Sequence, residues 1–249
     1  MESKILAIGS EKGGVGKTTT AITLAHALAL QDYHVLLIDM DSQGNCAIAL
    51  GVTPAKTTYE AMVMKEPVER CIAPARPNLD LLASDHRMAK VKNFMVAEGH
   101  NSHMILCDTM RNQNDYDWVI IDNAPSLDIA NLNALMYARQ VIIPIAVDFL
   151  AMIGAKQYME TVAEAKRAGA SVVISGILPT FYDARVRRSE EILEILKANF
   201  GSIVAEPIPI NTRLAEAPNA RKTIWEYDPR SPGAKAYIKL VERVLHDAT

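Results

Sequence analysis

The strongest constraint on the fold is a glycine-rich run that lies between an apolar strand and an apolar helix. The run occupies residues 11–19 and reads Glu-Lys-Gly-Gly-Val-Gly-Lys-Thr-Thr. Residues 4–8 have the pattern of a buried strand, and residues 18–30 that of a buried helix. In this arrangement the unpaired N–H groups and the dipole of the helix N-terminus favour a bound anion. The sequence therefore predicts a phosphate-binding loop.

This loop carries one lysine more than phosphate binding requires. The general pattern GxxxxGK[ST] needs glycines that let backbone amides face the phosphates, a lysine for the terminal phosphates and a hydroxyl for magnesium. The residues that meet it are Gly14, Gly16, Lys17 and Thr18. Glu11 occupies the position of the first glycine, and Lys12 follows it. Lys12 is therefore a second cation, without a role in the general pattern.

Composition bounds the class of protein. With 249 residues, of which 49% are hydrophobic, the chain can form one large domain over residues 1–249. A net charge of −3 gives no global basic field. Residues 1–150 hold 12 Lys/Arg and 17 Asp/Glu, whereas residues 151–249 hold 14 and 12, so a polyanion surface is expected in the second part. Three widely spaced cysteines indicate a reducing cytoplasm, and no apolar stretch approaches the ~18 residues of a spanning helix.

Short apolar runs alternate with longer stretches of helical period. This alternation is typical of an α/β fold with a mostly parallel, twisted sheet and helices on both faces. Strands are predicted near 4–9, 34–39, 79–83, 117–122, 140–146 and 171–178. Helices are predicted near 17–31, 57–65, 84–96, 126–138, 150–168, 184–199 and 233–246. Residues 51–77 are expected to be irregular apart from one short helix.

Acidic residues end two of the predicted strands. One strand ends in Asp39 and continues to Asp41, and another ends in Asp122. Ligands of open parallel sheets bind beyond the carboxyl ends of the strands. A buried strand that ends in Asp near a phosphate loop has the form of a Walker B element, so we expect Asp122 to support Mg²⁺ and Asp41 to orient the attacking water. The alternative for each aspartate is a helix N-cap or a turn.

At this point the chain resembles the ParA family of partition ATPases, within the wider group of ATPases with a deviant Walker A motif that includes MinD. The resemblance covers nearly the whole chain and is most specific near the C-terminus, where it is similar to the chromosomal, Soj-like branch. The segments that carry it are residues 12–19, 39–45, 117–126, 213–218 and 227–237.

The resemblance implies a role for each residue of the loop. Lys12 is the signature lysine, which reaches across a homodimer interface to the nucleotide of the other subunit. Lys17 contacts the β- and γ-phosphates, and the cofactors are ATP and Mg²⁺. The implied catalytic residues are Lys12, Lys17 and Asp41, and the implied metal-site residues are Thr18, Asp41 and Asp122. The implied nucleotide-binding residues are Lys12, Gly13, Gly14, Val15, Gly16, Lys17, Thr18 and Thr19, with Pro207 and Asn211 at the adenine.

Two departures from the family pattern affect these expectations. The second switch of the family reads Asp-Thr-Pro-Pro-Ser, whereas residues 122–126 read Asp-Asn-Ala-Pro-Ser, which is expected to alter loop stiffness and hydrolysis rate. We also expect no helix-turn-helix domain before the first strand, and hence no operator-specific autorepression. Sequence-independent DNA binding is still implied by the resemblance.

Basic residues near two predicted helices are candidates for that DNA contact. They are Arg185, Arg187, Arg188, Arg213, Arg221 and Lys222. Phosphate contacts need only suitably spaced positive charge and give a salt-sensitive affinity. The alternative is an ordinary solvated face, because Glu190, Glu191 and Glu194 lie beside the first cluster.

The resulting functional hypothesis is an ATP-driven switch. ATP promotes a sandwich dimer, the dimer binds nucleoid DNA in the cytoplasm, and a ParB-like partner stimulates a slow hydrolysis. Two alternatives stay open. One is a MinD-like positioning ATPase for a membrane or protein organelle, for which residues 237–245 would be the membrane helix, although core packing is the favoured explanation of their pattern. The other is an ATP-dependent amide-forming enzyme.

Overall fold

The computed structural model of the protein describes residues 3–97, 99–125, 128–148 and 150–247. The strands are β1 Lys4–Ile8, β2 Val35–Asp39, β3 Ile72–Arg76, β4 Leu79–Leu82, β5 Trp118–Asp122, β6 Gln140–Ala146 and β7 Val173–Thr180. The helices are α1 Lys17–Ala29, α2 Asn45–Leu50, α3 Thr58–Met62, α4 Met88–Ala97, α5 Ile105–Thr109, α6 Ile129–Tyr137, α7 Ala151–Arg167, α8 Arg187–Phe200, α9 Thr212–Glu216, α10 Ile224–Tyr227 and α11 Pro232–His246.

The strands form one sheet in the order β3-β4-β2-β5-β1-β6-β7. Every neighbouring pair is parallel except β3 and β4, which are antiparallel. The carboxyl ends of β1, β2 and β5 therefore meet at one edge, with Asp39 paired to Asp122 and Ile8 paired to Asp122. This register brings the phosphate loop and both strand-end acids to one place.

Two hydrophobic cores cover the two faces of the sheet. In β2, Leu36 and Ile38 belong to one core, whereas Val35 and Leu37 belong to the other. Successive strand residues point to opposite faces, so a continuous apolar run is required where both faces are covered. Helices α3 to α7 pack on the first face, and α1, α2 and α11 pack on the second.

The predicted α/β class, all six predicted strands and all seven predicted helices are present, with ends shifted by a few residues. The expectation that residues 51–77 contain no strand was wrong, because β3 lies there. Its pattern was unrecognisable for a physical reason. Pro74 lacks an N–H group and the register shifts between Pro74 and Arg76, which only a strand at the sheet edge tolerates.

The opposite edge of the sheet, at β7, is covered by the segment 204–209. Ile177 and Val204 form a bridge, and the N–H groups of Ala205 and Ile208 donate to the carbonyls of Ile177 and Pro179. This segment leads directly to α9, so closing the edge also brings the C-terminal motifs towards the phosphate loop.

The C-terminal helix α11 packs on the core. Tyr237, Leu240, Val241 and Val244 are buried in it, which favours the core-packing alternative for residues 237–245. Its start fits closely against α9, since a Cβ on Gly233 would lie 2.7 Å from Leu214. Within the described ranges, no helix combines the length and apolarity needed to span a bilayer.

Candidate functional site

The loop between β1 and α1 has the backbone shape of an anion cradle. Gly14 and Gly16 have φ values of 72° and 90°, in the left-handed region that favours glycine. The loop is fastened from β7, because Thr180 Oγ1 donates a hydrogen bond of 2.9 Å to the carbonyl of Val15. The glycines allow the sharp turn of the loop, and the hydrogen bond from β7 fixes its position. The backbone N–H groups at the start of α1 can therefore face an anion held in the loop.

Thr18 and Asp122 meet directly. Thr18 Oγ1 donates to Asp122 Oδ2 at 2.7 Å, although 104 residues separate them. Asp122 Oδ1 is buried and has no hydrogen-bond partner among the described atoms. A hydroxyl and a carboxylate with a free oxygen are the hard donors that Mg²⁺ prefers, so these residues fit the ion that the resemblance implies.

Asp39 lies behind this pair and is completely buried. Its carboxylate accepts hydrogen bonds from the N–H groups of Asp41 at 2.9 Å and Cys46 at 3.1 Å. Burial raises the pKa of Asp39, and the neighbouring Asp122 raises it further. Burial also raises the pKa of Asp122, against the hydrogen bond from Thr18. Two carboxyl groups in one buried position repel each other and favour a cation or a proton there.

The two lysines of the loop have different environments. Lys17 is buried and its ammonium group donates to the carbonyl of Lys12 at 2.9 Å. Burial lowers the pKa of Lys17, while the charges of Asp122 and Asp41 oppose that shift. Lys12 is exposed and forms an ion pair with Asp148, which follows β6. One lysine thus faces into the site and the other faces outward.

Asp41 lies at the rim of the same site, partly exposed. Its Oδ1 accepts from the N–H of Gln43 at 3.0 Å, which is the turn role weighed as the alternative to a catalytic one. Its charge also acts on Lys17. The effect on Lys17 indicates that the Asp41 carboxylate lies near the phosphate loop.

The segment after Asp122 is fastened to α7 through polar groups. Asn123 Nδ2 donates to the hydroxyl of Tyr158 at 3.5 Å, and that hydroxyl donates to Asn131 Oδ1 at 3.0 Å. Tyr158 also packs against the residue that follows β1, because a Cβ on Gly9 would lie 1.8 Å from its hydroxyl. Ser126, the last residue of the second switch, lies outside the described residues.

A pocket beside the loop lies where the adenine is expected. It is lined by Gly16, Thr19, Thr180, Phe181, Ile208, Pro209, Asn211, Leu214, Ala215 and Tyr237. Asn211 is therefore near the loop, with Oδ1 accepting from the N–H of Leu214 at 3.3 Å. The proline that lines this pocket is Pro209, two residues after the predicted Pro207.

The six basic candidates are all exposed. They lie in two regions, one near the starts of α8 and α9 and the other near α2. The turn before α8 lies beside the segment before α9, since Tyr182 bridges to Pro209 and the N–H of Ile210 donates to the carbonyl of Tyr182. The segments that lead to Arg185 and to Arg213 therefore run side by side. Arg221 and Lys222 lie towards α2, with Arg221 against Gly51.

Most of these arginines already have acidic neighbours. Arg185 pairs with Asp183, Arg187 with Glu191 and Arg213 with Glu216. Exposed ion pairs of this kind exchange readily with water and with other anions. The pairs therefore leave phosphate contact available.

Sequence reasoning missed three residues that shape this site: Asp39, Cys46 and Tyr158. Asp39 was visible at the end of β2, but its role as a buried acceptor depends on the turn that follows. Tyr158 carries no local signal, because its contact with Gly9 joins positions far apart in sequence.

Comparison with known proteins places the chain in a family. Residues 3–173 match the model of an AAA domain. Residues 114–249 match the model of 4Fe-4S iron sulfur cluster binding proteins of the NifH/frxC family. The second range contains no cysteine, so it offers no thiolate for such a cluster.

Chromosome partitioning protein ParA of Caulobacter vibrioides is 36% identical over 250 residues, covering 97% of this chain and 94% of that protein. The chain belongs to the ParA family of partition ATPases.

Solved structures agree with this fold. A putative plasmid partition protein from Borrelia burgdorferi B31, bound to AMPPNP, has a TM-score of 0.84 at 26% identity, covering 99% of this chain and 100% of that one. Cobyrinic acid a,c-diamide synthase from Mycobacterium smegmatis, with a bound ATP analogue and magnesium, has a TM-score of 0.85 at 27% identity, with 99% and 96% covered. The P-loop fold of this ParA-family chain therefore also occurs in an amide-forming enzyme.

Proposed function

We propose that the chain is an ATP-driven switch that positions or segregates DNA cargo. ATP and Mg²⁺ promote a sandwich homodimer, the dimer binds DNA without sequence preference, and a ParB-like partner stimulates a slow hydrolysis that releases it. The observation that carries the proposal is the difference in burial between the two lysines of the loop. Lys17 is buried beside Asp122, whereas Lys12 is exposed on the same loop.

In this proposal Lys17 neutralises the β- and γ-phosphates of its own nucleotide. Thr18 and Asp122 hold Mg²⁺, directly or through water, and Asp41 orients the attacking water. The bound metal supplies charge neutralisation between the phosphates. The pocket with Asn211 and Pro209 receives the adenine. Placing positive groups where charge develops is the main source of catalysis in phosphoryl transfer.

Lys12 reaches the nucleotide of the partner subunit. Within one chain it is paired with Asp148, with 43% and 42% of the two side chains exposed. Such an exposed pair contributes at most about 1 kcal/mol. The phosphates of a second subunit can therefore replace Asp148, and dimerisation then reports that both subunits hold ATP.

Retention on DNA in ATP, in ADP and without nucleotide, measured over a salt series, tests the switch. We expect strong, salt-sensitive retention only with ATP. Equal retention in all three states would exclude it. Replacement of Arg187 and Arg188 by alanine should reduce the slope of log K against log salt, by about one for each lost phosphate contact. The matched control is Arg167→Ala, at the far end of α7.

Dimerisation tests Lys12 separately. Lys12→Ala is expected to retain ATP binding and to lose the ATP-dependent dimer in analytical ultracentrifugation. Lys235→Ala, which removes an exposed lysine of α11, should dimerise normally. A normal dimer in Lys12→Ala would remove this lysine from the mechanism.

The likeness to the Mycobacterium smegmatis enzyme supports a second candidate, an ATP-dependent amide synthesis. It is tested by ATP turnover with cobyrinic acid and either glutamine or ammonia, with mass spectrometry of the acid. An amide product would support the enzyme. Turnover that responds only to DNA and to a ParB-like protein would support the switch.

A further inference from the structure

Three side chains with metal-ligating atoms lie together behind the phosphate loop. They are Asp39, Cys46 and Asp122, and their ligand atoms all lie within 4.8 Å of one another. The side chains are at most 1% exposed. Cys46 comes from α2 and its Sγ lies 3.5 Å from Asp122 Oδ2, a contact between a thiol and a carboxylate. The cluster is therefore formed by two strand ends and a helix, and is shielded from water.

The hydrogen bonds in the cluster leave one oxygen unsatisfied. Asp39 accepts from two backbone N–H groups, and Asp122 Oδ2 accepts from Thr18. Asp122 Oδ1 is buried without a partner among the described atoms. A buried carboxylate oxygen that lacks a donor is costly. A cation at the magnesium site or within the cluster would remove that cost, and a cation within the cluster would also remove the repulsion between the two acids.

The composition of the cluster selects the class of cation. Mg²⁺ prefers oxygen ligands and keeps several waters, which suits Thr18 and Asp122 on the side of the phosphates. A thiolate is a soft ligand and suits Zn²⁺ and related ions, which two carboxylates and one sulfur can bind with one position left open. We propose that Asp39, Cys46 and Asp122 form a second metal site, for a thiophilic divalent cation, which shares Asp122 with the magnesium site.

Binding changes the cluster in a defined way. The Cys46 thiol gives up its proton to a water molecule that the entering ion sheds, the sulfur donates an electron pair to the ion, and one oxygen of each aspartate completes the set. Ligands of a tetrahedral zinc lie roughly 3–4 Å apart. The sulfur and Asp122 already meet that distance, and the remaining groups must approach slightly. Asp122 then turns away from Thr18, which removes a donor from the magnesium site.

Cadmium is a direct probe, because a cadmium–thiolate bond gives an ultraviolet charge-transfer band. We expect one equivalent of Cd²⁺ to produce this band in the nucleotide-free protein. The band should disappear in Cys46→Ser and persist in Cys71→Ala, a matched control that also removes a buried thiol. Absence of the band in the native protein, or its persistence in Cys46→Ser, would overturn the proposal.

A second variant keeps the proposal testable if Cys46→Ser does not fold. In the Cys71→Ala/Cys107→Ala double variant Cys46 is the remaining thiol, and it must give the full band. Calorimetry with Zn²⁺ should then show at least tenfold weaker binding in folded Cys46→Ser or Cys46→Ala than in the double variant. Equal affinities would exclude Cys46 as a ligand.

Competition between the two ions rests on the proposed function, whereas the cadmium band does not. Zn²⁺ should weaken binding of the Mg²⁺ complex of a non-hydrolysable ATP analogue to the native protein, and it should have no such effect on Cys46→Ser. Unchanged nucleotide affinity with Zn²⁺ bound would exclude a shared Asp122. Failure of the DNA-retention experiment alone would leave the cadmium result intact, so the two proposals fail separately.

Discussion

At the level of single residues, the site depends on contacts between groups that are remote in sequence. The hydroxyl of Thr18 and the carboxylate of Asp122 are separated by 104 residues and meet at 2.7 Å. The sequence identifies both chemical groups, because each stands in a local pattern. Their meeting requires the parallel pairing of β1 with β5.

Thr18→Ala removes the hydroxyl from this pair and is expected to weaken Mg²⁺-dependent nucleotide binding. A hydrogen bond to a charged group contributes about 1.5–3 kcal/mol, so the affinity should fall roughly 10- to 150-fold. Thr18→Ser retains the hydroxyl and serves as the control. Calorimetry with Mg²⁺ and with a chelator measures the effect. Equal affinities for the two variants would contradict the assignment.

Gly9 illustrates a requirement that no local pattern reveals. A Cβ at this position would lie 1.8 Å from the hydroxyl of Tyr158. Gly9→Ala is therefore expected to destabilise the fold by about 1–3 kcal/mol or more through overpacking. Gly13→Ala is the matched control, since nothing lies within 4 Å of its added Cβ. Chemical denaturation distinguishes them, and similar unfolding free energies would disprove the close approach.

Between elements, the contacts of α1 with the C-terminal segments hold the loop in place. His26 of α1 is buried and its Nδ1 shares a hydrogen bond of 2.7 Å with Thr223 Oγ1, at the start of α10. Thr20 and Tyr237 make a similar link to α11. These links explain why the specific motifs near the C-terminus accompany a loop at the N-terminus.

The link through His26 should depend on pH. Burial lowers the pKa of His26, so its folded-state value lies below the unfolded value of about 6.5. Stability from the neutral ring is then present above pH 6.5 and is lost as pH falls below it. Unfolding free energies from pH 8 to 5 should fall more steeply for the native protein than for His26→Gln. Parallel curves would show that His26 does not titrate in this way.

Arg76 joins the edge strand β3 to two other elements. Its guanidinium donates to both oxygens of Glu226, with distances of 2.6 and 3.1 Å, and to the carbonyls of Leu50 and Arg221 at 3.1 and 3.0 Å. Its side chain is only 17% exposed. Arg76→Ala should therefore cost about 2 kcal/mol, because it leaves Glu226 without its partner in a partly buried position.

The control for Arg76 is Arg111→Ala. The ion pair of Arg111 with Asp108 leaves 73% and 52% of the two side chains exposed, and such pairs contribute under about 1 kcal/mol. A loss in Arg76→Ala no larger than in Arg111→Ala would show that the network does not stabilise the sheet edge.

Over the whole molecule, the sequence predicted the long strands and helices better than the edge strand and the short helices. Apolar runs and helical periods specify the strands and helices because burial on two faces demands them, as in residues 35–39. The edge strand β3 was missed because a proline-containing strand at the sheet edge need not be buried on both faces, so it lacks a continuous apolar run. The short helices α2, α5, α9 and α10 were missed because tertiary contacts, rather than helix propensity, stabilise segments of four to six residues.

The proposed dimer makes a prediction about the whole assembly. If two chains each present the basic side near α8, the ATP state contacts about twice as many phosphates as a monomer. The slope of log K against log salt should then be about twice as steep with ATP as with ADP. Fluorescence anisotropy with DNA at several salt concentrations measures both slopes. Equal slopes would exclude a doubled surface.

One border of the sheet is irregular and the other is covered, and this limits how copies of the chain can assemble through the sheet. Pro74 and the irregular register interrupt β3, and the segment 204–209 covers β7. Open strands at a sheet border template fibre growth when molecules crowd together. A protein that binds DNA at high local density would be prone to such fibre growth. If the chain gathers on DNA as proposed, these sheet borders disfavour polymerisation through the sheet, and the proposed dimer would form at the end of the molecule that carries the phosphate loop.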